Sequence, residues 1–178
     1  RTIQRKQENR GKIEQKSTNL PIYLDYQSTT PLDPRVADIM APFSDASFGN
    51  PHSAHHHGET AAKAIKLARE HIASLIGCFS NEIIFTSGAT ESNNLAILGL
   101  RGLLEEGRDH LVTVSTEHKC VLAAMSEMEK LGFNLEILNV NRDGSINLDA
   151  IENLVSEKTA LVSVMHANNE IGVIHPIG

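Results

Sequence analysis

The sequence predicts an α/β fold, a mostly parallel sheet flanked by helices. Short apolar runs of strand length alternate with longer segments whose apolar residues recur every three or four positions. Strand candidates separated by helices of this length imply crossover connections rather than hairpins, and crossovers join parallel strands. No internal repeat or low-complexity tract interrupts the alternation.

Residues 1–19 stand apart. Arg1, Arg5, Lys6, Arg10, Lys12 and Lys16 fall among almost no apolar residues, so this stretch is expected to be a flexible basic arm. A targeting peptide would also be basic, but amphipathic and poor in acids, and here Glu8 and Glu14 intervene. The segment from residue 20 to 178 is expected to be one domain.

Asp33-Pro34 ahead of Val36, Ile39 and Met40 predicts a helix start, with proline at the first helical position. Residues 44–58, rich in Ser, Gly, Asn, Pro and His, predict a loop. Ala61, Ala64, Ile65, Ala68, Ile72, Leu75 and Ile76 then follow a helical period that Gly77 ends. Ile83, Ile84 and Phe85 predict a buried strand over Glu82 to Thr86, and a helix is expected from Ala89 through Leu103. Strands are expected again at Leu111 to Val114, Leu135 to Val140 and Ala160 to Met165. Helices at Val121 to Leu131 and around Leu148 to Val155 separate them.

Composition narrows the function classes. The 178 residues are 40% hydrophobic and 21% charged, ordinary for a globular domain. The formal net charge of −6 speaks against a general nucleic-acid binder. The longest apolar stretches reach only about a third of a membrane span. Two cysteines, Cys78 and Cys120, are too few for a disulfide framework and suit a reducing compartment. The start on Arg1 and the halt at Gly178, just after an apolar run, suggest that both ends are incomplete.

Three polar segments stand at predicted strand ends. In Phe85 to Asn94 a strand gives way to small hydroxyl residues, one glycine and a helix start. Ligands of open α/β sheets sit beyond the carboxyl ends of strands, and a helix start presents amides to an anion. Ser87 and Thr90 could complete a phosphate cradle; a capped helix start without ligand is the alternative. No P-loop lysine and no three-glycine dinucleotide pattern is present. In Thr116 to Cys120, His118 stands where a histidine could stack on a flat ring or move protons, or merely face solvent. In Met165 to Glu170, the pair Asn168-Asn169 predicts a turn. Together the three segments outline a pocket. His52 and His55-His56-His57 lack acidic or cysteine partners at structural-zinc spacing, so no metal is expected.

Five stretches resemble, in order and spacing, the pyridoxal-phosphate-dependent cysteine desulfurases of the fold-type I superfamily. They are Tyr23 to Pro31, Gly49-Asn50-Pro51-His52-Ser53, Phe85 to Asn94, Thr116 to Cys120, and Asn168-Asn169-Glu170-Ile171-Gly172. The likeness covers roughly residues 21–178 and is nearest the housekeeping branch for iron–sulfur assembly in bacteria and mitochondria. It implies the cofactor pyridoxal 5'-phosphate, with Ala89 and Thr90 on the phosphate and Asn169 on the ring hydroxyl. It also implies His118 stacked on the ring and helping to shuttle protons, the catalytic role expected of this chain. The implied reaction takes L-cysteine to L-alanine, leaving sulfur as an enzyme persulfide for an iron–sulfur scaffold or another acceptor protein. Family members are homodimers, expected in the bacterial cytoplasm or, alternatively, the mitochondrial matrix, without nucleic acid or membrane.

The family's Schiff-base lysine, the aspartate on the pyridine nitrogen and the persulfide cysteine all fall beyond the position of Gly178. Residues 20–178 are thus expected to be an incomplete large domain, inactive as a desulfurase by itself. Lys119 does not match the cofactor lysine, and Cys120 is not expected to be the nucleophile. Cys78, at a helix end, is expected to be a small buried hydrophobe. The alternatives are a related selenocysteine or carbon–sulfur lyase, or a non-catalytic remnant.

Overall fold

A computed structural model describes residues 21–177 of the chain, in two units divided after Leu32. The basic arm expected over 1–19 lies outside the described residues. In the first unit, residues 21–32 form a turn in which the Ser28 amide donates to the Asp25 carbonyl at 3.1 Å. The Tyr23 hydroxyl donates to the same carbonyl at 2.8 Å, and its ring meets Tyr26 edge-on at 5.2 Å.

The second unit begins at the predicted cap. Asp33 accepts from the Arg35 amide at 2.8 Å and opens helix α1, Pro34–Met40, with proline in its first turn. The Arg35 guanidinium grips the same carboxylate and holds its pKa below the ordinary range. Helix α2, His56–Ile76, takes in the last three residues of the expected loop because the His55 ring nitrogen accepts from the Gly58 amide. It ends at Gly77, whose φ of 75° is the left-handed conformation that glycine adopts without strain. The start of α2 is pressed onto the preceding loop. A Cβ on Gly58 would lie 2.1 Å from the Ser53 carbonyl oxygen, and one on Gly49 2.3 Å from that of His57.

Residues 82–86 depart from expectation. They are not a buried strand: Ser80–Glu82 is a single 3-10 turn, and the segment after it pairs with no strand among the described residues. Ile84 is 68% exposed and Phe85 45%. The backbone is extended at Ile83, but an extended segment becomes a strand only beside a neighbour that takes its hydrogen bonds. Arg69 of α2 holds it instead, donating to the Ile83 carbonyl and lying 4.8 Å above the Phe85 ring.

Helix α3, Ala89–Leu98, runs on as a 3-10 segment over Gly99–Leu104. The sheet follows: β1, His110–Val114, then α4, Lys119–Lys130, then β2, Asn134–Leu138, then α5, Leu148–Leu154, then β3, Thr159–Ser163. Within the sheet all pairing is parallel in the order β2-β1-β3, so the fold class read from the alternation is the one observed. The register runs His110 to Asn134 through Val114 to Leu138 on one side; on the other, a slip falls between His110 and Leu111. β1 is central and almost wholly covered: Leu111, Val112 and Val114 are apolar, and the buried Thr113 hydroxyl donates to the Ser163 carbonyl at 3.0 Å. Leu111 packs with Ile97, Val121, Ala124, Met125, Met128 and Phe133 into one cluster that joins α3 and α4 to this face of the sheet. Each fully buried aliphatic side chain here contributes about 1.5–3 kcal/mol. This packing fixes where β1 ends, and hence where the polar segments stand.

Candidate functional site

The chain leaving β1 turns at once, with the Ser115 amide donating to the Leu138 carbonyl at 2.8 Å and the Glu117 amide to Val114 at 3.2 Å. That turn delivers His118 to the N-cap of α4. The Cys120 amide donates to His118 Nδ1 at 3.2 Å, and Cys120 Sγ lies 3.0 Å from the same nitrogen. An amide N–H only donates, so Nδ1 presents its lone pair and the neutral ring carries its proton on Nε2. The ring itself is exposed.

Beyond β3 the backbone makes a second turn, organised by Asn168. Its side-chain oxygen accepts from the amides of Glu170 and Ile171, each at 2.9 Å, and its nitrogen donates to the Thr116 carbonyl at 2.8 Å. Asn168 is 7% exposed, whereas Asn169 is exposed. The contact with Thr116 ties the turn after β3 to the turn after β1 across 52 positions of sequence. Ser115 to Lys119 and Asn168 to Ile171 thereby enclose, with Leu122, a cavity of about 340 Å³ at the carboxyl edge of the sheet. This is where open α/β sheets hold ligands.

His118 and Asn169 thus share one cavity wall, as their positions in the sequence suggested. Ala89 and Thr90 are not on it; they stand at the start of α3, which packs beside α4. The connection is direct: Asn93 Nδ2 of α3 donates to Cys120 Sγ of α4 at 3.2 Å. Gly88 supplies no side-chain cap to α3, which leaves first-turn amides available to a ligand. The preceding turn already attracts an anion from within the chain. Glu91 accepts from both the amide and the hydroxyl of Ser87 at 2.6 Å, and the Ser87 hydroxyl is the main cause of its lowered pKa.

Two residues contribute more than their sequence context indicated. Asn168 was one of an undifferentiated asparagine pair, and only its burial marks it as the organiser while Asn169 faces the cavity. Glu117 is 8% exposed and lines the same wall, a position that its neighbours in sequence do not signal. The histidines at 52 and 55–57 are used locally, with His57 stacked on Phe48 at 5.6 Å and His55 capping α2. Among the described residues no group of three or more His, Cys, Asp or Glu side chains converges on a point. Cys78 and Cys120 are both free thiols, each partly exposed, so Cys78 is less buried than its apolar neighbourhood suggested.

A parallel α/β sheet with its polar turns gathered at the carboxyl edge is a ligand-binding scaffold, and residues 22–178 match the aminotransferase class-V family; the chain belongs to it. The relatives within that family are specific. Cysteine desulfurase IscS of Rickettsia felis is 51% identical over 160 residues, covering 89% of this chain and 39% of the relative. The protein of the same name from Rickettsia typhi is 50% identical over 163 residues, covering 91% and 40% respectively. Among solved structures, "SspA in complex with cysteine" superimposes with a TM-score of 0.82 at 43% identity, over 88% of this chain and 45% of that one. A "NifS-like protein" gives 0.83 at 39% identity, over 88% and 43%. These relatives bear out the resemblance drawn from the five sequence stretches. The chain spans 39% of the length of the first of them.

Proposed function

We propose that this chain is the cofactor-cradling front part of a pyridoxal-phosphate-dependent cysteine desulfurase, acting on L-cysteine to give L-alanine and a protein-bound persulfide. The observation that carries the proposal is the convergence of His118 and Asn169 on one cavity at the sheet's carboxyl edge. It occurs in a chain about half identical to proteins of that name.

The donor set suits the cofactor. Uncapped amides at the start of α3, with the Thr90 hydroxyl, offer the hydrogen bonds and positive dipole end that a phosphate takes. The Ser87–Glu91 contact supports this, because the adjoining turn already engages a carboxylate. In this proposal Ala89 and Thr90 bind the phosphate, and Asn169 donates its side-chain amide to the ring hydroxyl. His118 offers a flat ring at the cavity wall, with Nε2 as the nitrogen left free to give or take a proton. When bound, pyridoxal 5'-phosphate supplies an electron sink for the substrate's α-carbon; the residues here hold and orient. Leu122 and Ile171 bring apolar surface to the same wall and limit water.

L-cysteine is favoured over other amino acids by the structural neighbour described in complex with cysteine. The acceptors proposed are an iron–sulfur scaffold or another sulfur-accepting protein, and the assembly proposed is a homodimer. No helix among the described residues is long and apolar enough to cross a membrane. With two free thiols and bacterial relatives, the bacterial cytoplasm is the compartment proposed.

The deciding experiment isolates the protein from its natural source, determines its intact mass, and assays alanine release from L-cysteine with added pyridoxal 5'-phosphate. Alanine formation by a species heavier than 19.4 kDa, with the cofactor trapped on lysine by borohydride, is the expected result. A natural product of this mass that neither binds the cofactor nor releases alanine would overturn the proposal.

A further inference from the structure

We propose that Asn93 and Cys120 are positioning residues for His118, holding its ring through Nδ1 so that only Nε2 exchanges a proton in the cavity. Two donors meet at Nδ1, the Cys120 amide at 3.2 Å and the Cys120 thiol at 3.0 Å. The thiol's own direction is set from a different element. Asn93 Nδ2 donates to Sγ at 3.2 Å, so the sulfur accepts from α3 and its remaining hydrogen is left for the imidazole. The order Asn93, Cys120, His118 is thus a directed chain of hydrogen bonds that ends on one ring nitrogen.

Its placement gives it a second effect. Asn93 lies one turn after Thr90 on α3, and Cys120 lies in the first turn of α4. The Asn93–Cys120 contact therefore couples the segment proposed to hold the phosphate to the side chain proposed to meet the ring. Asn93 and Cys120 are both partly buried, which shields the contact from competing water. Neither is assigned any contact with the cofactor; both act through His118. This inference rests on the cofactor-cradling proposal for its use in catalysis, though not for the state of the ring.

The test uses the full-length protein expressed from its gene with 15N-labelled histidine, with and without added pyridoxal 5'-phosphate. Long-range proton–nitrogen spectra assign the pyrrole-type nitrogen of His118. In the parent protein that nitrogen is Nε2. Cys120→Ala removes one of the two donors and lowers the Nε2–H to Nδ1–H ratio about fivefold, as loss of one ordinary hydrogen bond would. Asn93→Leu lowers it in the same direction by less, and Cys120→Ser, which retains an O–H donor, restores it. A role in packing alone would not distinguish Ser from Ala in this way. Should Cys120→Ala fail to fold, Asn93→Leu and Cys120→Ser decide the matter.

A ratio unchanged in the folded Ala or Leu variants, or not restored by Ser, overturns the inference. Failure of the cofactor to bind while the ratio behaves as expected would sink the functional proposal and leave the hydrogen-bond chain standing.

Discussion

Asn168 offers the sharpest test of how the cavity is built. Replacing it by Ala removes three hydrogen bonds of 2.8–2.9 Å at a residue only 7% exposed. The amides of Glu170 and Ile171 belong to exposed residues and turn to water, costing about 0.5–1 kcal/mol each. The Thr116 carbonyl is less accessible, and stranding it costs roughly 1–2 kcal/mol. The expected loss is thus about 3 kcal/mol. In urea this lowers the unfolding midpoint by roughly 1–3 M, given slopes of ~1–3 kcal/mol/M. Asn168→Asp keeps both oxygen contacts but sets a carboxylate oxygen against the Thr116 carbonyl in a nearly buried position, so it should lose the Thr116 share and more. The comparison is run on the full-length protein, with pyridoxal 5'-phosphate affinity measured alongside. Because Asn168 holds the turn that carries Asn169, affinity should fall below the parent in both variants. An Ala variant within ~0.5 kcal/mol of the parent, the range of an ordinary surface change, would refute the role given to Asn168.

Other expectations are as concrete. Gly58→Ala places a methyl 2.1 Å from the Ser53 carbonyl and 2.8 Å from that of Asn50, both backbone atoms that cannot swing aside. It should cost about 3 kcal/mol in thermal or urea unfolding, while Gly99→Ala, at a helical φ of −64° with nothing within 4 Å, should be neutral or stabilising; equal effects would contradict the described packing. Glu91 titrates below its ordinary range chiefly because of the Ser87 hydroxyl, and then the Ser87 amide. The contact should therefore be intact above a normal glutamate value of about 4.3 and lost as pH falls through the lowered one. A Ser87 amide resonance that ignores pH over that window, or that behaves alike in Glu91→Gln, would count against it.

Much of the architecture was legible because its signals are local. Asp33 before Pro34 and Gly77 after Ile76 announce helix ends through backbone chemistry confined to a few residues. Leu111, Val112 and Val114 fall on both sides of β1 and announce burial on both faces. Residues 82–86 carried the same kind of apolar signal and misled, because composition reports a capacity for pairing whereas pairing needs a neighbour. His55 misled in the opposite direction: a histidine-rich stretch suggests a loop, yet a ring nitrogen caps a helix as an aspartate would. At the site, residue types at strand ends pointed to His118 and Asn169. The division of labour between Asn168 and Asn169 depends on a carbonyl 52 positions away, which no local pattern encodes.

The position of β1 between β2 and β3 also bears on how the chain is made. Synthesis runs from β1 at residues 110–114 to β2 at 134–138 and β3 at 159–163. A ribosome adding about 5–20 residues per second releases each flanking strand seconds after the one before. The middle strand exists first, and each newcomer docks on an edge that is still vacant, so nothing already paired has to be displaced. Residues 83–86 emerge earlier than any of them, but after Arg69, the partner that holds Ile83 and Phe85 in the folded chain and so is already made when they appear.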